Sequence, residues 1–262
     1  MGIEVERSHQ RLSTPRLILL SVAFVLVPQI VAIFVVPGVA EGPAYATARG
    51  ALQFELIPDA GGAIVAMWVI VHLGWTELVR HERFPTRRWV VLVPVTMLVA
   101  SIVATDYSNL ADAGSTLVLL LVMATLATGV SEELMFRGIA LQAFRQRHRE
   151  WVAALFSAVL FGLLHLINII VAGPAAVFQA VWACGMGYLL YLCRRVGRGM
   201  MLPIVVHWSW DFSTFSPELG RANAELSDAT VGMFLLSALL IIVAALRHQT
   251  IPSSPPTSTR AP

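Results

Sequence analysis

Apolar residues collect in eight stretches, separated by short segments rich in arginine, acids, proline and glycine: Leu17–Val36, Gln53–Leu73, Trp89–Thr105, Ser115–Phe136, Trp151–Val171, Pro174–Cys193, Met200–Phe215 and Val231–Leu246. A helix crossing the hydrocarbon core of a bilayer needs about 20 mainly apolar residues. The third and seventh stretches are short for that purpose. The pattern predicts an all-α, polytopic transmembrane helical bundle of about eight spans. The first stretch is too long for the apolar region of a typical signal peptide, and Ala44–Tyr45–Ala46 sits rather far downstream for a cleavage site, so a retained anchor is expected.

Composition supports the same class. Of 262 residues 57% are hydrophobic and 13% charged, and the mean hydropathy is +0.73. A net charge of +2, with its basic residues in scattered clusters, suggests no nucleic-acid partner. All 18 basic residues are arginine. With the N-terminus in the cytoplasm, 16 of them fall on inner segments and only Arg49 and Arg221 outside. By the positive-inside rule both termini are then expected to be cytoplasmic. Residues 249–262, rich in Pro, Ser and Thr, are expected to form a disordered tail. The division is three spans in 1–114, a four-span core in 115–215, a last helix in 216–248, then the tail. Cys184 and Cys193 have neither metal-site nor disulfide-framework spacing and are expected to be packing residues.

Ionisable groups inside lipid are costly and therefore tend to be paired or functional. Glu133 and Arg137 are i, i+4 neighbours and can form an intrahelical ion pair. Glu132 points about 100° away and needs another partner. His207 and Asp211 repeat the i, i+4 spacing, as do Phe161 and His165. A free carboxylate and two histidines, brought together from three helices where water is scarce, can activate a water for attack on a carbonyl. Glu132 would be general base helped by His165, and His207 would donate to the oxyanion. The same atoms, Glu132, His165, His207 and Asp211, can instead ligate Zn2+. Both readings stand on the sequence. Glu55, Asp59, His72 and Glu77 have no chemical complement in sequence and are expected at the interface. His81–Glu82 opens like a zinc motif, but Pro85 occupies the second histidine's position.

Three motifs in order, EExxxR at Glu132–Arg137, FxxxH at Phe161–His165 and HxxxD at His207–Asp211, make residues 115–215 resemble the CAAX-protease and bacteriocin-processing (CPBP) family of intramembrane endopeptidases. The resemblance implies a water-activating Glu132 assisted by His165, with His207 and residue 211 stabilising the oxyanion. Glu133, Arg137 and Phe161 would shape the site. Family members are described both as metalloproteases and as metal-independent glutamate proteases. Position 211 is Asp where eukaryotic-type members carry Asn, and an ionised Asp cannot donate to an oxyanion. Asp211 must therefore be protonated, orient His207 or ligate a metal.

The expected protein is an intramembrane endopeptidase of a bacterial-type cell membrane, its active site open to the cytoplasm. It would act on membrane-associated proteins or peptides, including prenylated CAAX-type substrates. A non-proteolytic adaptor or immunity-type protein and a proton-coupled transporter are the rivals. At 1.5 Å per residue, Glu132 lies roughly 7 Å from Arg137 and His207 roughly 10 Å from Met200. His165, about 21 Å from Trp151, is too deep unless the fifth helix starts outside the hydrocarbon or tilts steeply.

Overall fold

The computed structural model describes residues 10–38, 40–222 and 227–252. The expected tail from residue 253 onward lies outside them. Among the described residues the chain is helical without strands, and eight longer helices organise it: α1 Thr14–Val35, α2 Ala48–His72, α3 Arg88–Ala104, α4 Ser115–Arg145, α5 Glu150–Asn168, α6 Ala175–Gly197, α7 Met201–Phe215 and α8 Asp228–Leu246. Six of these are long and apolar enough to cross a membrane; α3 and α7 are shorter. At 15 residues α7 extends about 22 Å, less than the roughly 30 Å hydrocarbon thickness. Large apolar side chains face outward, with Phe34 83% and Leu246 79% exposed. Surface of this kind requires lipid as its solvent. The molecule is an all-α polytopic membrane bundle.

The central helix is α4, which packs against α7 on one side and α2 on the other. Helix α6 packs against α5, α7 and α8, and α3 closes the far side against α7 and α8. Burial of apolar surface cannot drive helices together inside lipid, so close approach depends on small residues. A Cβ on Gly129 of α4 would sit 3.2 Å from Trp208 N and 3.3 Å from Ile204 O of α7. At Gly162 of α5 it would lie 2.5 Å from Ala180 O of α6. Gly162 leaves no room for a larger residue, and at Gly129 a side chain would force the two backbones apart by a few tenths of an ångström.

Both α2 and α4 contain a widened, π-helical turn, at Ala51–Leu56 and Leu134–Ala140. Pro58 accounts for the first. Ile57 N bonds Leu52 O, which passes the Gln53 carbonyl to residue 58, and proline has no N–H to give. Gln29 Nε2 of α1 supplies the missing donor at 3.3 Å. In the second turn, Leu141 N reaches back to Phe136 O. The Phe136 and Arg137 carbonyls there also accept from Ser157 Oγ at 2.7 Å and Arg194 Nη1 at 2.5 Å.

The fifth helix departs from its expected bounds of 151–171. It starts at Glu150, tightens to a 3-10 turn over His165–Asn168, and the chain turns at Gly173 with φ +57° after a short helical segment, Ile169–Ala172. His165 thus stands at the end of the regular helix. Gln249–Pro252, the described start of the expected tail, follows α8 through a 3-10 turn, and its carbonyls accept from Arg87 and Arg195.

Candidate active site

The contact at Gly129 brings α4 and α7 close enough for their next turns to share side chains. One turn on, Glu133 Oε1 accepts from Arg137 Nη1 at 2.7 Å and lies 2.9 Å from His207 Nδ1 of α7. Arg137 also donates to Gly187 O of α6 at 3.1 Å, and its guanidinium lies 4.5 Å above the Phe161 ring of α5. Glu133 and Arg137 are fully buried. Pairing makes that burial tolerable, because each charge removes the other's uncompensated desolvation.

With Nδ1 engaged, His207 presents Nε2 to two further carboxylates, Glu132 Oε2 at 3.5 Å and Asp211 Oδ2 at 3.4 Å. One imidazole therefore meets three acids from two helices. Both ring nitrogens face carboxylate oxygens, and each can donate to one.

His165 is held differently. Its Nδ1 is 2.9 Å from Phe161 O, one turn back on α5. A carbonyl can only accept, so this nitrogen carries the proton and Nε2 holds the lone pair in the neutral ring. The Phe161 ring separates the two histidines, edge-on to both, with centroid distances of 4.8 Å to His165 and 6.0 Å to His207.

Glu132, His165, His207 and Asp211 all line one cavity of about 290 Å3. Glu132 and Asp211 remain 20% and 16% exposed, while Glu133 has none of its side chain accessible. The adjacent glutamates are thereby separated, one open to the cavity and the other locked behind it. Asn168 and Gln179, bonded at 2.9 Å, border the same space.

The interfacial placement expected for Glu55 and Asp59 is wrong. Both line this cavity from α2. Asp59 accepts from Thr128 Oγ1 at 2.6 Å and from Ser131 Oγ at 3.0 Å, both on α4 beside Glu132. The sequence held a usable signal: Thr128 precedes Glu132 by four residues and shares its helix face. His72 and Glu77 are exposed.

The donor set does not fit the zinc alternative. Among the described residues no three His, Cys, Asp or Glu side chains are arranged to hold a metal ion. His207 commits one nitrogen to the buried Glu133 and turns the other toward two acids, while His165 spends Nδ1 on a backbone carbonyl. The arrangement offers an accessible carboxylate, one imidazole whose Nε2 is unengaged and a second imidazole held among carboxylates, all bordering one partly open cavity. That set suits proton transfer and stabilisation of a developing negative charge.

Residues 114–213 match the family described as type II CAAX prenyl endopeptidase Rce1-like. No curated protein and no solved structure matches the chain. The matched segment contains all three motifs and ends two residues after Asp211. Over that part the chain belongs to the Rce1-like, CPBP-type CAAX protease family, as an intramembrane hydrolase whose buried Glu/His cluster is consistent with a catalytic centre.

Proposed function

We propose that this protein is an intramembrane endopeptidase that hydrolyses peptide bonds of membrane-associated, prenylated CAAX-type proteins or peptides. The observation that carries the proposal is His207, held between the buried Glu133 and the two cavity acids Glu132 and Asp211. Glu132 accepts a proton from water as the oxygen adds to the scissile carbonyl. His165 assists through Nε2, which is free to accept. His207 donates its Nε2 proton toward the oxyanion, and Asp211 orients that ring and balances its charge. On collapse the C–N bond breaks and the proton held by Glu132 passes to the leaving amine, so a carboxylic acid and an amine are released and Glu132 is again a carboxylate. Asp211 acts through the imidazole and need not itself donate, which accommodates Asp where eukaryotic-type members carry Asn.

Phe24, Val25, Leu164 and Ile167 border the cavity and give it an apolar side suited to a lipid-modified chain. With the N-terminus cytoplasmic and eight spans, as the arginine distribution favours in a bacterial-type cell, the cavity bordered by Asn168, Gln179 and Phe215 lies toward the outer ends of α5, α6 and α7 rather than at their arginine-bearing ends.

The test is Glu132→Gln, which keeps shape and removes the base. Cleavage of a farnesylated CAAX peptide carrying a fluorophore and quencher, assayed in proteoliposomes, is expected to fall at least ~1,000-fold, within the range of general acid–base catalysis, with insertion and folding unchanged. In cells, termini of membrane proteins that appear with the intact protein should vanish with the variant. Retained function would favour an adaptor, and proton or solute flux without new termini a transporter.

A further inference from the structure

Glu132 is weakly held for a general base. Among the described residues, its carboxylate has one polar side-chain contact, His207 Nε2 at 3.5 Å. Its aim must therefore come from how α4 is seated, and α4 is seated from two sides. On the α7 side, Gly129 lies against the α7 backbone and Glu133 is tied to His207. On the other side stands Asp59 of α2, outside the residues that match the family.

We infer that Asp59 is a positioning residue, clamping α4 through Thr128 and Ser131 so that Glu132 turns into the cavity; the inference rests on Glu132 being the base. The two oxygens of one planar carboxylate meet two hydroxyls, Oδ2 with Thr128 Oγ1 at 2.6 Å and Oδ1 with Ser131 Oγ at 3.0 Å. A single bond would leave a pivot. Two bonds three residues apart on α4 fix both its rotation and its height against α2.

Each hydroxyl has an alternative acceptor on its own helix: Ala124 O lies 3.0 Å from Thr128 Oγ1, and Thr128 O 3.1 Å from Ser131 Oγ. Each carries one proton and must choose. Asp59 is the nearer acceptor in both cases, 2.6 against 3.0 Å for Thr128 and 3.0 against 3.1 Å for Ser131, so both protons go to it and the bonds cross between helices. Remove the carboxylate and both hydroxyls turn back onto α4, releasing the clamp. Misplacing a catalytic group by about 1 Å can cost ~100-fold in rate.

The experiment uses the full chain in proteoliposomes and the farnesylated CAAX peptide, measuring kcat and KM separately. Asp59→Ala is expected to lower kcat about 30- to 100-fold with KM changed less than about threefold. Asp59→Asn should recover to within about fivefold of wild type. Its Oδ1 still accepts from one hydroxyl and its amide donates to the other, which then passes its own proton to the nearby helix carbonyl. Thr128→Val with Ser131→Ala should reproduce the Asp59→Ala loss, and combining all three should add little, because residues acting as one unit are not additive. The inference is overturned if Asp59→Asn is as damaged as Asp59→Ala, if the losses multiply, or if KM alone moves. Should Asp59→Ala fail to fold, Thr128→Val with Ser131→Ala decides against Asp59→Asn. Loss of activity in Glu132→Gln together with unaltered kcat in Asp59→Ala would sink only the positioning role. Wild-type activity in Glu132→Gln would sink both readings.

Discussion

Two charged clusters are buried in this bundle and are built on opposite plans. In one, Glu82 and Glu150 meet Arg145, Arg194 and Arg195 where the segment between α2 and α3 crosses the ends of α4 and α6. Glu82 accepts from Arg145 at 3.0 Å, Arg194 at 2.9 Å and Phe84 N at 3.0 Å. Glu150 accepts from Arg145 at 2.5 Å and the Tyr191 hydroxyl at 2.9 Å. Arg194 further binds the carbonyls of Leu78, Val79 and Arg137, and Arg195 binds Tyr191 and the carbonyls of Pro85 and Pro252. In the other cluster, Glu132 and Asp211 share a single nitrogen of His207 and keep the rest of their capacity turned to the cavity. The first network is nearly saturated, with Arg195 Nε left without a partner among the described residues, and such networks rigidify; acids with spare capacity can still take a proton. What separates scaffold from chemistry here is how completely the partners are used, not which residue types are present.

The sharpest way to break this contrast is to neutralise one member of each cluster. Arg194→Leu removes one of the two arginines on Glu82 and a donor to three carbonyls and is expected to cost about 3 kcal/mol, read as a lowered unfolding midpoint in detergent. Glu132→Gln should change stability by less than about 1 kcal/mol, since it removes no saturated bond, while abolishing cleavage. Equal destabilisation by the two would collapse the distinction. Gly162→Ala comes next, at about 1–3 kcal/mol for overpacking. Helix α5 carries Glu150 into one cluster and His165 into the other, so wedging it from α6 should lower both thermal stability and kcat.

The smallest effect is a pH dependence. Burial alone would make Glu82 harder to ionise, but Arg145 and Arg194 outweigh it, aided by Phe84 N–H, and hold its carboxyl below the usual 4.5. A depressed folded-state value means that its stabilisation is complete above about 4.5 and is lost as pH falls through the lower folded value. The unfolding midpoint should decline with acidification below that point, and Glu82→Gln should flatten this part of the decline. An unchanged slope in the variant would show that Glu82 is not part of the acid response.

Much of the fold was legible because lipid imposes a long, simple apolar signal, and the helices fall close to the apolar runs. The ends were harder to place. His165 stays as deep as expected: the fifth helix starts only one residue before Trp151, at Glu150, which is anchored by Arg145, and runs about 22 Å to the tightened turn at His165. Spacing within a helix placed Glu133 beside Arg137 and Phe161 beside His165. Partners between helices were beyond it. Asp59 has no complement near it in sequence because its partners, Thr128 and Ser131, are 69 and 72 residues away and ordinary in composition. The π-helical turns left no recognisable period, apart from Pro58.

The widened turn at Leu134–Ala140 takes up one extra residue while keeping the two ends of α4 close to their regular phase. Deleting one residue there would restore a regular helix and leave Glu132 facing the cavity and Gln142 and Arg145 facing Leu78 and Glu82. It would instead draw the Phe136 and Arg137 carbonyls back toward the helix ladder and away from Ser157 and Arg194. At this step α4 gives up regular helix bonding for attachment to α5 and α6.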